Sequence, residues 1–136
     1  MRASVRRERE IDVSADVAWA VVSDAAGLHR WFPGIETCAV DGDTRVITLG
    51  SGISLSETLL TNDPLQRRFQ YRITAPMFRE HLSTLDVLDL GDGTSVVVYA
   101  ADAVPSTMAL VIAGAAGNAL ENLRDLMESQ PTEGES

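Results

Sequence analysis

The sequence predicts an α+β domain in which a curved antiparallel sheet of seven strands wraps around a long C-terminal helix. Three observations predict it. A period-two alternation opens the chain, six short strand-like runs separated by turn residues fill its middle, and one amphipathic helical stripe closes it. At 136 residues the chain fits one domain, taken as residues 1–128, followed by a tail over 129–136.

The first strand is read from Ala3, Val5, Arg7, Arg9, Ile11 and Val13 on one face and Ser4, Arg6, Glu8, Glu10 and Asp12 on the other. Ser14 is a good N-cap, with Asp16 in the first turn, where the helix dipole favours an anion. A short helix through Val22 follows. A second short helical turn, Leu28 to Phe32, ends at Pro33-Gly34. Strands are then expected at about Glu36–Val40, Arg45–Leu49, Ile53–Thr61, Arg67–Thr74, His81–Asp89 and Ser95–Ala103. Connectors such as Asp41-Gly42-Asp43 and Gly91-Asp92-Gly93 tolerate tight-turn backbone angles, and their shortness implies an antiparallel meander. Pro105 breaks the last strand. Ser106 is expected to cap a helix running to about Met127, with Met108, Ile112, Ala115, Ala119, Leu123 and Leu126 as its apolar stripe. The polar tail, with Pro131 and Gly134, is expected to be disordered.

Seven strands carry too many inward side chains for one helix to cover flat, so the sheet must curl. The first half of the helix is packed with Ala and Gly where Leu would be usual, and aromatics make up only 5% of the chain. Small residues there either let the helix approach the sheet closely or leave space. With few rings available to plug the centre, the balance favours a cavity of roughly 300–1,000 Å³, the usual size for small ligands.

The net charge of −9 and pI near 4.5 repel nucleic-acid phosphates and anionic lipid surfaces, so neither is an expected partner. All the basic residues are arginine. A single cysteine, Cys38, excludes an internal disulfide and suits a reducing cytoplasm. No apolar run follows the first arginines, so no signal peptide is expected. The longest apolar stretch, Met108 to Ala116, is shorter than the roughly 20 residues a membrane span needs. Two histidines and one cysteine, widely separated, have no metal-ligand spacing, and Gly50-Ser51-Gly52 lacks the helix and lysine of a phosphate loop. No metal or cofactor is expected.

From about Val5 to Met127 the chain resembles the START-like superfamily, also called SRPBCC or helix-grip proteins. More closely it is similar to the bacterial branch labelled polyketide cyclase/dehydrase. The residues that carry the resemblance are Ile11-Asp12-Val13-Ser14-Ala15 leading into Ala18-Trp19, Ser23-Asp24, and Trp31-Phe32-Pro33-Gly34. Further on they are Glu57 with Asp63, Arg68 with Tyr71-Arg72-Ile73, Gly91-Asp92-Gly93-Thr94-Ser95, and Asp102 with Pro105. Ala18 departs from the pattern, which commonly has a larger β-branched residue before the Trp. The resemblance implies the fold but no single activity, since the superfamily spans cyclases, lipid and sterol carriers, receptors and interaction modules.

Candidate ligand contacts follow from strand parity. Arg7 and Arg9 share the face of Ile11, so a concave face there points both into the cavity. A buried guanidinium needs a carboxylate or an anionic ligand, and Glu57, on the face of Leu55 and Leu59, is the expected partner. A structural ion pair and ligand contact both stay open. Tyr71 and Tyr99 bring hydroxyls into an apolar wall, either for a ligand or for the backbone. Trp31 begins a segment expected to rim the cavity, Met77 and Phe78 sit in a loop at the expected mouth, and Met108, Ile112 and Ala115 face it from the helix. His81, Tyr71 and Arg7 are weak catalytic candidates; a lone His at a strand start is more often structural, and His29 is weaker still.

The leading reading is a cytoplasmic protein that binds a small hydrophobic molecule of polyketide, lipid or sterol type, as a monomer or homodimer. One alternative is a cyclase or aromatase acting on a poly-β-ketone chain, which predicts an ionisable cluster deep in the pocket. Another is an interaction module, which predicts a filled cavity and an exposed apolar patch.

Overall fold

Alternation of buried and exposed side chains sets the sheet. In the strand Glu80–Asp89, His81, Ser83, Leu85 and Val87 are buried and their neighbours are not, the period of two that puts alternate residues on one face. The computed structural model describes residues 1–129, so the expected tail lies almost wholly outside the described residues. Its elements are β1 (Ala3–Ile11), α1 (Ala15–Val22), a 3₁₀ turn (Ala25–Arg30), β2 (Ile35–Asp41), β3 (Thr44–Leu49), β4 (Ser54–Asp63), β5 (Arg68–Thr74), β6 (Glu80–Asp89), β7 (Ser95–Val104) and α2 (Ser106–Glu128). The seven strands form one antiparallel sheet in the order β1-β7-β6-β5-β4-β3-β2, so the first and last strands pair and the rest meander. This is the helix-grip architecture that the sequence predicts.

Local signals explain most boundaries. The Ser14 hydroxyl accepts the Val17 N–H at 3.3 Å and starts α1. Gly42, at φ 62, is the first residue of a two-residue loop closed by the Asp41–Thr44 pair, a position where a positive φ costs glycine nothing. Register shifts at Ile35/Thr37 and Leu59/Thr61 mark bulges, which add twist and help the sheet curl.

Two boundaries differ from the sequence reading. The second short helix is a 3₁₀ turn that begins at Ala25, not Leu28, and includes Gly27. The Gly27 N–H donates to Asp24 O at 3.0 Å, and a Cβ at this position would lie 2.6 Å from Asp24 Oδ2. Ser106 does not cap α2 but is its first residue: Pro105 holds the cap position, and its carbonyl accepts the Met108 N–H at 3.0 Å. No helix among the described residues is long and apolar enough to cross a membrane.

The buried residues of α2 are Ala109, Ala113, Ala116, Ala119, Leu120, Leu123 and Met127: Ala119 and Leu123 are buried as expected, while Ala109, Ala113, Ala116 and Met127 each lie one position after Met108, Ile112, Ala115 and Leu126 of the expected stripe. This row packs on β1 and β7, where the inward residues Ala101 and Ala103 are also small. Alanine against alanine lets the helix approach that half of the sheet closely. The row beside it, Met108, Ile112 and Ala115, is only half-buried and faces the other half of the sheet. The two readings of the small residues therefore both hold, on adjacent rows of one helix.

Candidate functional site

Because α2 lies over β1 and β7, the concave face of β2 to β5 is left uncovered towards the start of the helix. A cavity of about 270 Å³ remains there. Its sheet wall is Ile35, Ile47, Leu49, Leu55, Glu57, Tyr71 and Ile73; Leu28 and Phe32 close one side, and Met108, Val111, Ile112 and Ala115 of α2 close the other. Met77 and Phe78, from the β5–β6 loop, complete the rim. Met77 is 44% and Val111 62% exposed, so this end of the cavity opens to solvent. The volume falls just below the expected range.

The wall is apolar, and a polar cluster lies directly behind it. Arg45 and Glu57 are cross-strand neighbours on β3 and β4, and both are buried. Arg45 Nε donates to Glu57 Oε1 at 2.5 Å and Nη1 donates to Ala25 O at 3.1 Å, while buried Nη2 has no partner among the described residues. The guanidinium carbon stands 4.8 Å from the Tyr71 ring centroid and 5.6 Å from that of Phe69. The Tyr71 and Tyr99 hydroxyls bond to each other. Burial pushes the Tyr71 hydroxyl up to about 12, and Tyr99 well above its ordinary value. Burial likewise raises the Glu57 carboxyl, against the pull of Arg45.

His81 sits behind Tyr71, with ring centroids 5.6 Å apart. The Ile73 N–H donates to its Nδ1 at 2.8 Å, so the neutral ring carries its proton on Nε2, which is 2.8 Å from Ser83 Oγ. Burial, helped by nearby Arg72, lowers its pKa to about 4. Near neutral pH the ring is an uncharged structural group. Among the described residues no cluster of His, Cys, Asp and Glu is arranged to hold a metal ion.

The structure brings seven of the sequence-predicted contacts to this cavity: Glu57, Tyr71, Met77, Phe78, Met108, Ile112 and Ala115. Four are elsewhere. Arg7 and Arg9 do lie on the helix side, as Arg7 pairs with inward-facing Tyr99, but β1 is an edge strand. Arg7 is exposed there, and Arg9 reaches Glu121 of α2 at 2.9 Å. Neither can meet Glu57, because four strand spacings, roughly 19 Å, separate β1 from β4. Trp31 is 3% exposed and packs edge-on against Tyr99, so Phe32 is the residue of that segment that lines the cavity. Tyr99, two strands away on β7, does not line the cavity and reaches it only through the Tyr71 hydroxyl. Sequence reasoning missed Arg45, although it alternates with Ile47 and Leu49 on the same inward face.

Residues 2–128 match the family described as polyketide cyclase/dehydrase and lipid transport. No curated protein matches the chain. Among solved structures, a protein from Bacillus thuringiensis is 23% identical, with a TM-score of 0.85 over 93% of this chain and 100% of that one. XoxI from Bacillus cereus is 22% identical, with a TM-score of 0.86 over 93% of this chain and 96% of its own. Norcoclaurine synthase from Thalictrum flavum, solved in complex with dopamine and hydroxybenzaldehyde, is 18% identical, with a TM-score of 0.75 over 97% and 90%. At these identities the likeness shows the fold.

Proposed function

The chain belongs to the polyketide cyclase/dehydrase and lipid transport family, and from that premise we propose that its cavity binds a small, largely apolar molecule. One observation carries the reading: an open cavity of about 270 Å³ whose wall is almost entirely aliphatic and aromatic side chains. Affinity comes from apolar burial, at about 25 cal/mol per Å². A cavity of about 150 Å³ holds benzene, so this one has room for roughly ten or eleven non-hydrogen atoms. A two-ring aromatic or a medium alkyl chain fits; a sterol nucleus does not. The interaction-module alternative expects a filled centre and is less well supported by an open one.

Binding is favoured over turnover by the protonation states behind the wall. General acid–base catalysis works best with a pKa near the operating pH. Here Tyr71 lies at about 12 and His81 at about 4, and Arg45 is already paired with Glu57. None is poised to exchange a proton at neutral pH.

The test is titration with naphthalene and 1-decanol, followed by calorimetry, on the wild type and on Ala115→Phe. The wild type is expected to bind in the micromolar range. The variant, whose ring fills the cavity from α2, is expected to bind at least tenfold more weakly while keeping its circular dichroism spectrum. No heat from either compound with the wild type, or equal binding by the variant, refutes the assignment.

A further inference from the structure

Beside the apolar cavity lies a second hollow, of about 380 Å³, and the two share Ile73 and Phe78 as lining. Its other walls include Arg72, Arg79, His81 and one acid, Glu80. The two spaces meet because the sheet splits here. The β5–β6 ladder stops at Tyr71–Ser83, while β4–β5 continues to Ser56–Thr74 and β6–β7 to Glu80–Val104. The His81 ring plugs the split by accepting the Ile73 N–H, and Phe78 packs on that ring with centroids 5.1 Å apart. Phe78 and Ile73 thus stand between an apolar room and an arginine-lined one.

Those arginines are available. Arg72 and Arg79 are exposed, and neither has a carboxylate within 4 Å among the described residues, although Glu80 lines the same hollow and Asp102 stands with Arg2 in the neighbouring outer groove. Arg72 is steadied by a 3.3 Å bond from its Nε to His81 O, and the Arg79 backbone by one of 2.7 Å from its N–H to Val104 O. Charge is also sorted along the molecule. The turns at this end, 50–53, 75–78 and 104–107, contain no acid. The acidic turns with Asp41, Asp43, Asp63, Asp89 and Asp92 are all at the opposite end. With two arginines against the one carboxylate of Glu80, this hollow is net positive in a chain of net charge −9.

We propose that Arg72 and Arg79 form an anion subsite at the mouth, so that the ligand is an amphipathic anion: an apolar body in the cavity and a carboxylate or phosphate held by the two guanidiniums beyond Phe78. This rests on the cavity reading and adds the polar end of the ligand. Guanidinium forks suit both anions, so the shared chemistry is a terminal oxyanion on a chain of roughly ten heavy atoms.

Decanoate, decyl phosphate, 1-decanol and decylamine are titrated calorimetrically into the wild type and into R72Q/R79Q, at 50 and 500 mM NaCl. At least one anion is expected to bind tenfold or more tightly than decanol, and the tighter of the two identifies the head group. In the variant that preference disappears while decanol binding is unchanged, and salt weakens only the anions. Decanol equal to both anions, decylamine tighter than either, or a variant that loses decanol as well would overturn the subsite and leave the cavity reading standing. Failure of all four to bind the wild type would remove the cavity reading and the subsite with it.

Discussion

Replacing Arg45 with methionine keeps much of the side-chain length and removes the charge. In the native pair both side chains are 2% exposed, and Nε meets Glu57 Oε1 at 2.5 Å. Arg45→Met leaves that carboxylate buried without its partner, and breaking a buried pair from one side costs about 3–5 kcal/mol. Domains of this kind have about 5–15 kcal/mol in total, so the loss is a large fraction of stability. The native pair is itself imperfect, because buried Nη2 has no partner and an unmet donor costs about 1–3 kcal/mol. The double variant R45M/E57L removes both charges and that donor together, and is expected within about 1 kcal/mol of wild type. The single variant also acquires a pH signature. Burial holds Glu57 above its ordinary 4.5, and removing Arg45 takes away the group that pulls it down. A carboxyl raised in the folded state holds its proton more tightly than the unfolded chain does, so stability falls as pH rises above that value. R45M should therefore be closest to wild type near pH 4.5 and fall away towards pH 8. Urea unfolding at pH 5, 6.5 and 8 reads both effects. A loss below about 1 kcal/mol at pH 8, or a double variant no better than the single, refutes the reasoning.

His81 makes the opposite pH prediction. Its pKa is lowered from 6.5 to about 4 on folding, so the unfolded chain takes up the proton first and stability drains away as pH falls between those values, by up to about 3 kcal/mol. His81→Asn, whose Oδ1 still accepts the Ile73 N–H, should show a shallower fall over that window in parallel urea titrations; identical slopes would contradict it. Gly114 lies inside α2, and a Cβ there meets nothing within 4 Å. Gly114→Ala is therefore expected to add about 1 kcal/mol, a rise of a few degrees in Tm. An unchanged or lower Tm would show that the helix needs the glycine. Ala115→Phe, which grows into existing space rather than into packed atoms, should stay within about 1.5 kcal/mol of wild type by the same unfolding measurement.

The architecture was legible because its signals are local. Ser14, Gly42 and Pro105 act within a few residues of themselves, and the parity of β4 to β7 depends only on alternation along each strand. Parity therefore placed Glu57 and Tyr71, and helical spacing placed Met108, Ile112 and Ala115, on faces that do meet. It also placed Arg7 and Arg9 on the inward side correctly, yet could not show that the side of a sheet and the centre of a sheet are different places.

That distinction belongs to the tertiary structure. Pairing β1 with β7 puts the first strand at an edge, which sends Arg9 to Glu121 and gives Glu57 to Arg45 across one strand spacing. Seating α2 through its alanine row on β1 and β7 decides which half of the sheet stays uncovered, and so where the cavity is. Elements and faces are set by contacts near in sequence. Partners and empty space are set by how far each strand stands from every other once the sheet has closed round the helix.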